Sequence, residues 1–440
     1  MNFKYILGLI VAVSMFSSCD KYLEVEPKGI VIPKRFEEFN AILNAEINTN
    51  CYPDHLAYAS DDVYAPHPLI AQDPLANAYF WREIIDVDND AAPAIWGPLY
   101  RQIYNTNIII NNIGAVTDAS EEKKKQLLGE ALAERANAHF VLVTAFTKAY
   151  DPATAGRLPG IPWVTYTDVT TATPPRTTLQ ETMGLILADL KDAEGYLSTS
   201  RLNKTRFNKA VAQAILSRVY LYMGNFEEAR KYAELALKEP HKIIDYNNYP
   251  SPSPSQDKNT EILWLRTTTY RVLIYDLRYS NDLVNTFAAD DLRMKLFAFL
   301  NNGTYMRLDN YWGLYGIRFS ELKLTQAEAL AQANDLDGAL KILNELRALR
   351  IASPSYQPVV STNKTEVLKW VLSERRRELA FGSNRWMDMK RLAKLGLGEP
   401  ARRQSVDHKD LLSIDPATYS YTFEIPSRVL IFNPGMPKNF

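Results

Sequence analysis

The sequence predicts a mainly α protein: a tetratricopeptide-like helical-pair scaffold, a loop-rich half and a few short strands. Three observations predict it. Apolar residues recur at helical spacing through several long segments. Two of those segments match one another at an offset of 110 residues. The stretches between them carry Pro, Gly, Asn and aromatic residues without a period. The 440 residues are 46% apolar and 23% charged, enough for a core that needs no disulfide staples. Fifty Lys and Arg against 51 Asp and Glu leave a net charge of −1, which argues against a nucleic-acid binder.

Residues 1–18 read as an export signal: Lys4, the apolar run from Ile6 to Val13, then small residues before Cys19. The run is too short to span a bilayer permanently. A Cys directly after Ser17 and Ser18 is the pattern of a bacterial lipoprotein, whose new N-terminal Cys19 carries the lipid, palmitate included. The other reading is a plain secretory signal with an incidental Cys. If Cys19 is acylated, Cys51 has no intrachain partner and is expected as a buried free thiol. Residues 19–33 form an extended tether containing the turn Pro27 to Gly29, and 34–440 a single domain.

Phe36, Phe39, Ile42 and Leu43 open the helical pattern, which breaks into loops between Asn48 and Ala94. Trp96, Tyr100, Ile103, Asn107 and Ile110 restore it. A long helix is expected over 121–150, with polar caps and acids at its start. Residues 152–175 are a Pro- and Thr-rich connection. Residues 209–240 then place Gly224, Phe226, Ala229 and Ala236 at tetratricopeptide spacing. Residues 324–350 place Asn334, Leu336, Ala339 and Leu346 at the same offsets. Ala at such sites lets two antiparallel helices approach closely. Pro250 to Ser255 is a surface linker, 262–265 a short strand, and 267–320 loop-rich and aromatic. A helix is expected over 364–381, and 421–435 as a strand or extended segment ending in a turn.

No nucleophile elbow, zinc-site, P-loop or dinucleotide motif occurs, so no cofactor is implied and nothing favours an enzyme. A glycoside hydrolase would need two carboxylates about 5–10 Å apart, which sequence alone does not single out. His55 and His67 lie near Asp54, Asp61 and Asp62, either as a loose cation set or, the favoured reading, as solvated loop histidines. Glu374 to Glu378 either grips an anion or forms a salt-bridged helix face, the second being favoured. The aromatic residues are more informative. Tyr305, Tyr311 and Trp312 form one cluster in irregular chain, and Trp81 with Arg82 and the upstream Tyr64 a second. Such rings stack on the apolar face of a sugar while neighbouring polar groups bond its hydroxyls. Alternatively they cover the scaffold as a satellite core.

Taken in order, several motifs resemble the SusD/RagB family of outer-membrane nutrient-binding lipoproteins. They are Cys19 to Leu23 with Pro27 to Gly29; Trp96, Tyr100, Ile103 and Asn107; and Glu130, Glu134 and Arg135 through Phe140. Pro159 to Pro162, the repeat Ala210 to Ala236, and Glu374 to Phe381 follow, then Arg385, Trp386, Asp388 and Arg391, and last Ile425-Pro426 with Asn433-Pro434. One departure is Gly382 to Asn384, where the family usually carries Glu-Gly. The resemblance implies four tetratricopeptide-like pairs supporting a loop-rich half that holds ligand. It also implies a lid over a SusC-type TonB-dependent transporter, no catalysis, and a glycan or, in some members, a peptide as ligand. Asp20 would mean inner-membrane retention under the enteric rule; the resemblance implies the outer membrane, facing the cell exterior. It assigns no ligand contact, so the expected site of Tyr64, Trp81, Arg82, Tyr305, Tyr311 and Trp312 rests on the aromatic clusters. Replacing the anchor tests the first step: Cys19→Ala should abolish lipid labelling and release the protein from membranes, and a variant still membrane-bound at wild-type levels would refute it.

Overall fold

A computed structural model describes residues 33–49, 52–65, 72–251, 253–268, 278–307, 315–382, 384–405 and 409–440. Ten longer helices start mostly where the sequence supplies a cap: α1 (Phe36–Asn44), α2 (Trp96–Asn112), α3 (Glu121–Phe146), α4 (Leu179–Tyr196), α5 (Lys209–Tyr222), α6 (Phe226–Ala236), α7 (Phe319–Gln332), α8 (Leu336–Ala348), α9 (Lys364–Glu378) and α10 (Asn384–Lys394). Ser120, Asn208, Asn225, Asp335 and Asn363 accept backbone N–H groups of the first turn, and Thr178 with Glu181 forms a capping box. α3 stops four residues before Tyr150, because Thr147 turns extended at φ −124° and its hydroxyl donates back to the Val143 carbonyl.

The repeat holds in atomic detail. Gly224 and Asn334 follow α5 and α7 in the left-handed region, at φ +75° and +65°. The N–H of Asn225 then donates to Tyr220 O at 3.0 Å, and that of Asp335 to Leu330 O at 2.9 Å. Ala229, Ala236 and Ala339 have no exposed surface. α2 packs on α3, α3 on α4, and so on through α7, which carries α8 and α9. Each helix thus buries a face that it could not bury alone. α10 turns back across α3 and α5 and touches the short helix Asp54–Tyr58.

The strands are short: β1 (Val63–Tyr64), β2 (Pro159–Pro162), β3 (Arg176–Thr178), β4 (Ile262–Trp264), β5 (Arg278–Tyr279), β6 (Ala298–Asn301), β7 (Thr304–Arg307), β8 (Ile317–Arg318), β9 (Ala401–Gln404) and β10 (Asp410–Ile414). They form one antiparallel sheet in the order β1-β5-β7-β6 and the pairs β2–β3, β4–β8 and β9–β10. A Cβ on Gly316 would lie 1.8 Å from the Trp264 carbonyl oxygen, so glycine is required where β8 meets β4.

Two expectations are corrected. Residues 48–94 are not simply loops: Asp54–Tyr58 and Pro74–Tyr79 are short helices, β1 lies between them, and every residue from 52 to 64 is buried. The stretch 421–435, expected as a strand or extended segment ending in a turn, has no strand and carries a short helix before its turn. Phe423 N–H donates to Ala145 O and Glu424 N–H to Glu83 O, and a short helix, Ser427–Phe432, follows. The packing at the repeat sets a testable cost. Ala229→Trp should overpack the α5–α6 contact and lower stability by about 1–3 kcal/mol in urea unfolding; a change within error would contradict close helix approach there.

Candidate functional site

In the four-stranded sheet β1 and β7 both pair with β5, so the two expected segments lie one strand apart, and not with all their rings on one face. Tyr64 is the register partner of Arg278, and Arg278 of Met306. Side chains alternate along a strand, so Tyr305 projects to the side opposite Met306 and Tyr64. There it packs with Val63 and Tyr279 in the apolar cluster beneath the sheet. Tyr64 itself is only 7% exposed. Tyr311, Trp312 and Cys19 lie outside the described residues, as do Cys51 and His67. The residues that bracket the Tyr311 and Trp312 segment are fixed. Arg307 donates to Ala380 O at 2.9 Å, and Tyr315 stacks on Tyr52 with its hydroxyl donating to Asp54.

Trp81 is a core residue, which corrects the expectation that it offers a stacking face. It is 4% exposed, its Nε1 donates to Ala59 O at 2.7 Å, and it sits at φ +53°. The Arg403 guanidinium lies 4.1 Å from its ring centroid and 4.0 Å from that of Tyr79. Arg403 also donates to the carbonyls of Tyr58, Ser60, Val63 and Tyr79 at 2.6–3.1 Å. Arg82 is exposed beside this core and donates to Asn77 Oδ1 at 2.7 Å.

The acids of this half are committed to protein partners. Asp61 receives both Nε and Nη2 of Arg385, at 2.6 and 2.7 Å, and Asp62 receives Arg376 Nε at 2.8 Å. Burial alone would raise the Asp61 pKa, but the Arg376 and Arg385 charges hold it well below the ordinary carboxylate range. Asp54 is pushed up to about 6 by burial, although Thr268 and Tyr315 bond it. His55 is buried, not solvated as expected, and burial lowers its pKa to about 4, which keeps it neutral. The described members of the loose cation set, Asp54, His55, Asp61 and Asp62, are therefore core contacts.

The charge run on α9 is salt-bridged as expected, yet buried. Glu374 pairs with Arg293 at 2.7 Å, Arg375 with Asp388 at 2.8 Å, and Glu378 with Arg293, Arg318 and Arg350 at 3.0–3.2 Å. Burial acts to raise the Glu374 pKa, and the Arg293 and Arg377 charges override it, down to about 2. Beside this network, α9 and α10 enclose a cavity of about 330 Å³ lined by Leu368, Leu372, Met389, Leu392 and Tyr421. Its guanidiniums, from Arg376 and Arg385, are the ones already bonded to Asp61 and Asp62. Arg403 was missed by sequence reasoning, because the second Arg of an Arg402-Arg403 pair carries no signal of four carbonyl partners.

Two family models cover most of the chain. One, described as starch-binding associating with outer membrane, matches residues 21–221; the other, the SusD family, matches 276–434. The chain belongs to the SusD/RagB family. SusD-like protein P2 of Formosa agariphila is 25% identical over 89% of this chain and 91% of its own length. A Bacteroides vulgatus structure whose name proposes sugar binding is 25% identical, with TM-score 0.77 over 93% of this chain and 99% of its own. A SusD superfamily protein from Bacteroides thetaiotaomicron is 24% identical, with TM-score 0.77 over 92% and 100%. Four of the residues that carried the resemblance to SusD/RagB, Asn107, Glu130, Glu134 and Arg135, are buried polar clamps in this chain. Arg135 joins Asp189 and Asn107 at 2.7–2.9 Å, Glu130 holds Arg206, and Glu134 holds Arg266 and Gln102.

These environments fix the pH dependence. A carboxylate depressed in the fold, such as Glu374, adds stability above its ordinary 4.5 that is lost as pH falls toward 2. Raised groups, Asp54 and Asp86, add stability below their ordinary 3.8 that is lost as pH rises through 6. His55 and His139, lowered by burial to about 4 and 3, oppose the two Asp residues, adding stability above their ordinary 6.5 that is lost as pH falls. The melting temperature should therefore fall as pH drops from 5 to 2. A flat profile between pH 5 and 2 would contradict the buried ion-pair network.

Proposed function

We propose that this SusD-family chain is a cell-surface glycan-binding lipoprotein, which captures an oligosaccharide and passes it to a SusC-type TonB-dependent transporter. Its lipid would sit on Cys19 in the outer membrane, with the folded chain facing the cell exterior. The observation that carries the reading is the family match at both ends of the chain, joined to a fold shared with a structure whose name proposes sugar binding. No described helix is long and apolar enough to cross a membrane. Binding without catalysis agrees with the loop-rich half, where Asp61 and Asp62 face guanidiniums rather than an open cleft.

The ligand surface proposed is the edge of the sheet and its neighbouring segments: Arg82, and Tyr311 with Trp312 between the fixed residues Arg307 and Tyr315, with Tyr64 too buried to offer a face. A sugar gains modest free energy from each stacked ring, about 0.5–1.5 kcal/mol, and its hydroxyls supply specificity. Loops on a rigid scaffold are where such residues concentrate. A glycan array probed with the mature chain tests the ligand class, and Trp312→Ala tests the site. That variant should bind its glycan about three- to tenfold more weakly with an unchanged melting temperature. Recognition of peptides with no glycan signal would refute the reading; a large fall in melting temperature would make Trp312 a core residue.

A further inference from the structure

A second aromatic surface lies away from the sheet. An open groove of about 410 Å³ runs between α2, residues 164–173 and the short helix Ser427–Phe432. On the α2 side, Trp96 and Tyr100 stack with centroids 4.8 Å apart at 28°, and Tyr104 follows one turn on. The Tyr100 hydroxyl donates to Pro162 O at 2.7 Å, which fixes that ring. Tyr166 stands on the 164–173 side, its hydroxyl donating to Ala172 O at 2.7 Å. Phe432 stands on the other, 70% exposed, with the Arg428 guanidinium 5.5 Å from its ring centroid. Arg428 is held in turn by the carbonyls of Asn89 and Asp90, at 3.0 and 2.6 Å.

This arrangement is costly unless something covers it. An exposed Phe leaves a large apolar face in water, at about 25 cal/mol per Å². The two Tyr rings are held through their hydroxyls, so their positions are set before any ligand arrives and little ordering remains to be done. The groove's size lies within the range of about 300–1,000 Å³ typical of small-ligand sites. Its charged lining is one acid, Asp168, and one base, Arg428, so the groove asks for no net charge on its occupant. Thr171, Thr173 and Asn433 add hydroxyl and amide groups at the same surface. Aromatic faces, a balanced pair of charges and short polar side chains fit a neutral chain whose units are apolar on their faces and hydroxylated at their edges.

We propose that this groove is a second saccharide-binding site, which takes a stretch of neutral glycan against Tyr166 and Phe432. The proposal rests on the glycan-binding reading above and extends it from one site to two. Two sites on one chain raise the avidity for a polysaccharide long enough to reach both, without any new contact at either.

The test is affinity electrophoresis of the mature chain, made soluble by Cys19→Ala, through gels containing amylopectin, laminarin, xylan or mannan. On the polysaccharide that retards the parent chain, Phe432→Ala and Tyr166→Ala should each weaken binding about three- to tenfold at unchanged melting temperature. Trp312→Ala should leave residual retention that Trp312→Ala with Phe432→Ala removes. Tyr166→Phe, which keeps the ring but releases it from Ala172 O, should bind more weakly than the parent and more tightly than Tyr166→Ala. Parental retention by both Phe432→Ala and Tyr166→Ala, with Trp312→Ala abolishing it alone, would overturn the second site and leave the glycan reading standing. Parental glycan retention by Phe432→Ala together with lost co-purification of the transporter would also overturn it, making the groove a protein contact. A parent chain that no gel retards and no array glycan binds would overturn both.

Discussion

The contact on which the rest of the molecule depends is that between the Asp61–Asp62 turn and the guanidiniums of Arg376 and Arg385. The two Arg residues belong to α9 and α10 of the helical scaffold, and the two Asp residues to the irregular segment that leads into β1. Here the loop-rich half is fastened to the helices by charge, in the interior, where such a pair is stable only if its hydrogen bonds are satisfied. Removing one partner would strand the other charge, at a cost on the order of 3–5 kcal/mol. The same logic recurs along α9, where Glu378 alone receives Arg293, Arg318 and Arg350. The scaffold and the loops are therefore one body joined by ion pairs, with apolar packing filling the space around them.

What the sequence reveals is what is local. The repeat was legible because each copy carries its own signals: a residue tolerant of positive φ at 224 and 334, a cap at 225 and 335, and Ala at 229 and 339. The strand at 262–264 and most of the long helices were legible for the same reason. The buried segment 52–64 was not, because its polar residues look like those of a loop until their partners, more than 200 positions away, are known. The α9 charge run is salt-bridged as expected, but its burial and its partners on other elements were not legible, since spacing along one helix says nothing of what faces it.

The site divides along the same line. Aromatic clustering found two segments that the sheet does bring together, but clustering carries no information about register. One position along β7 separates Met306, in the row of Tyr64, from Tyr305, which faces the cluster beneath. Trp81 looked like a ligand platform because its neighbours are irregular; the carbonyl of Ala59 and the guanidinium of Arg403 make it core. The groove beside α2 escaped notice because its rings come from three distant segments, none of them a cluster by itself.

Arg403 has a consequence of another kind. It secures the loop-rich segments through the main-chain oxygens of Tyr58, Ser60, Val63 and Tyr79, and it does so chiefly through groups that every amino acid provides. Those four residues are themselves buried, so the grip fixes the path of the chain from within and leaves substitution to the exposed positions beyond it, Arg82 among them.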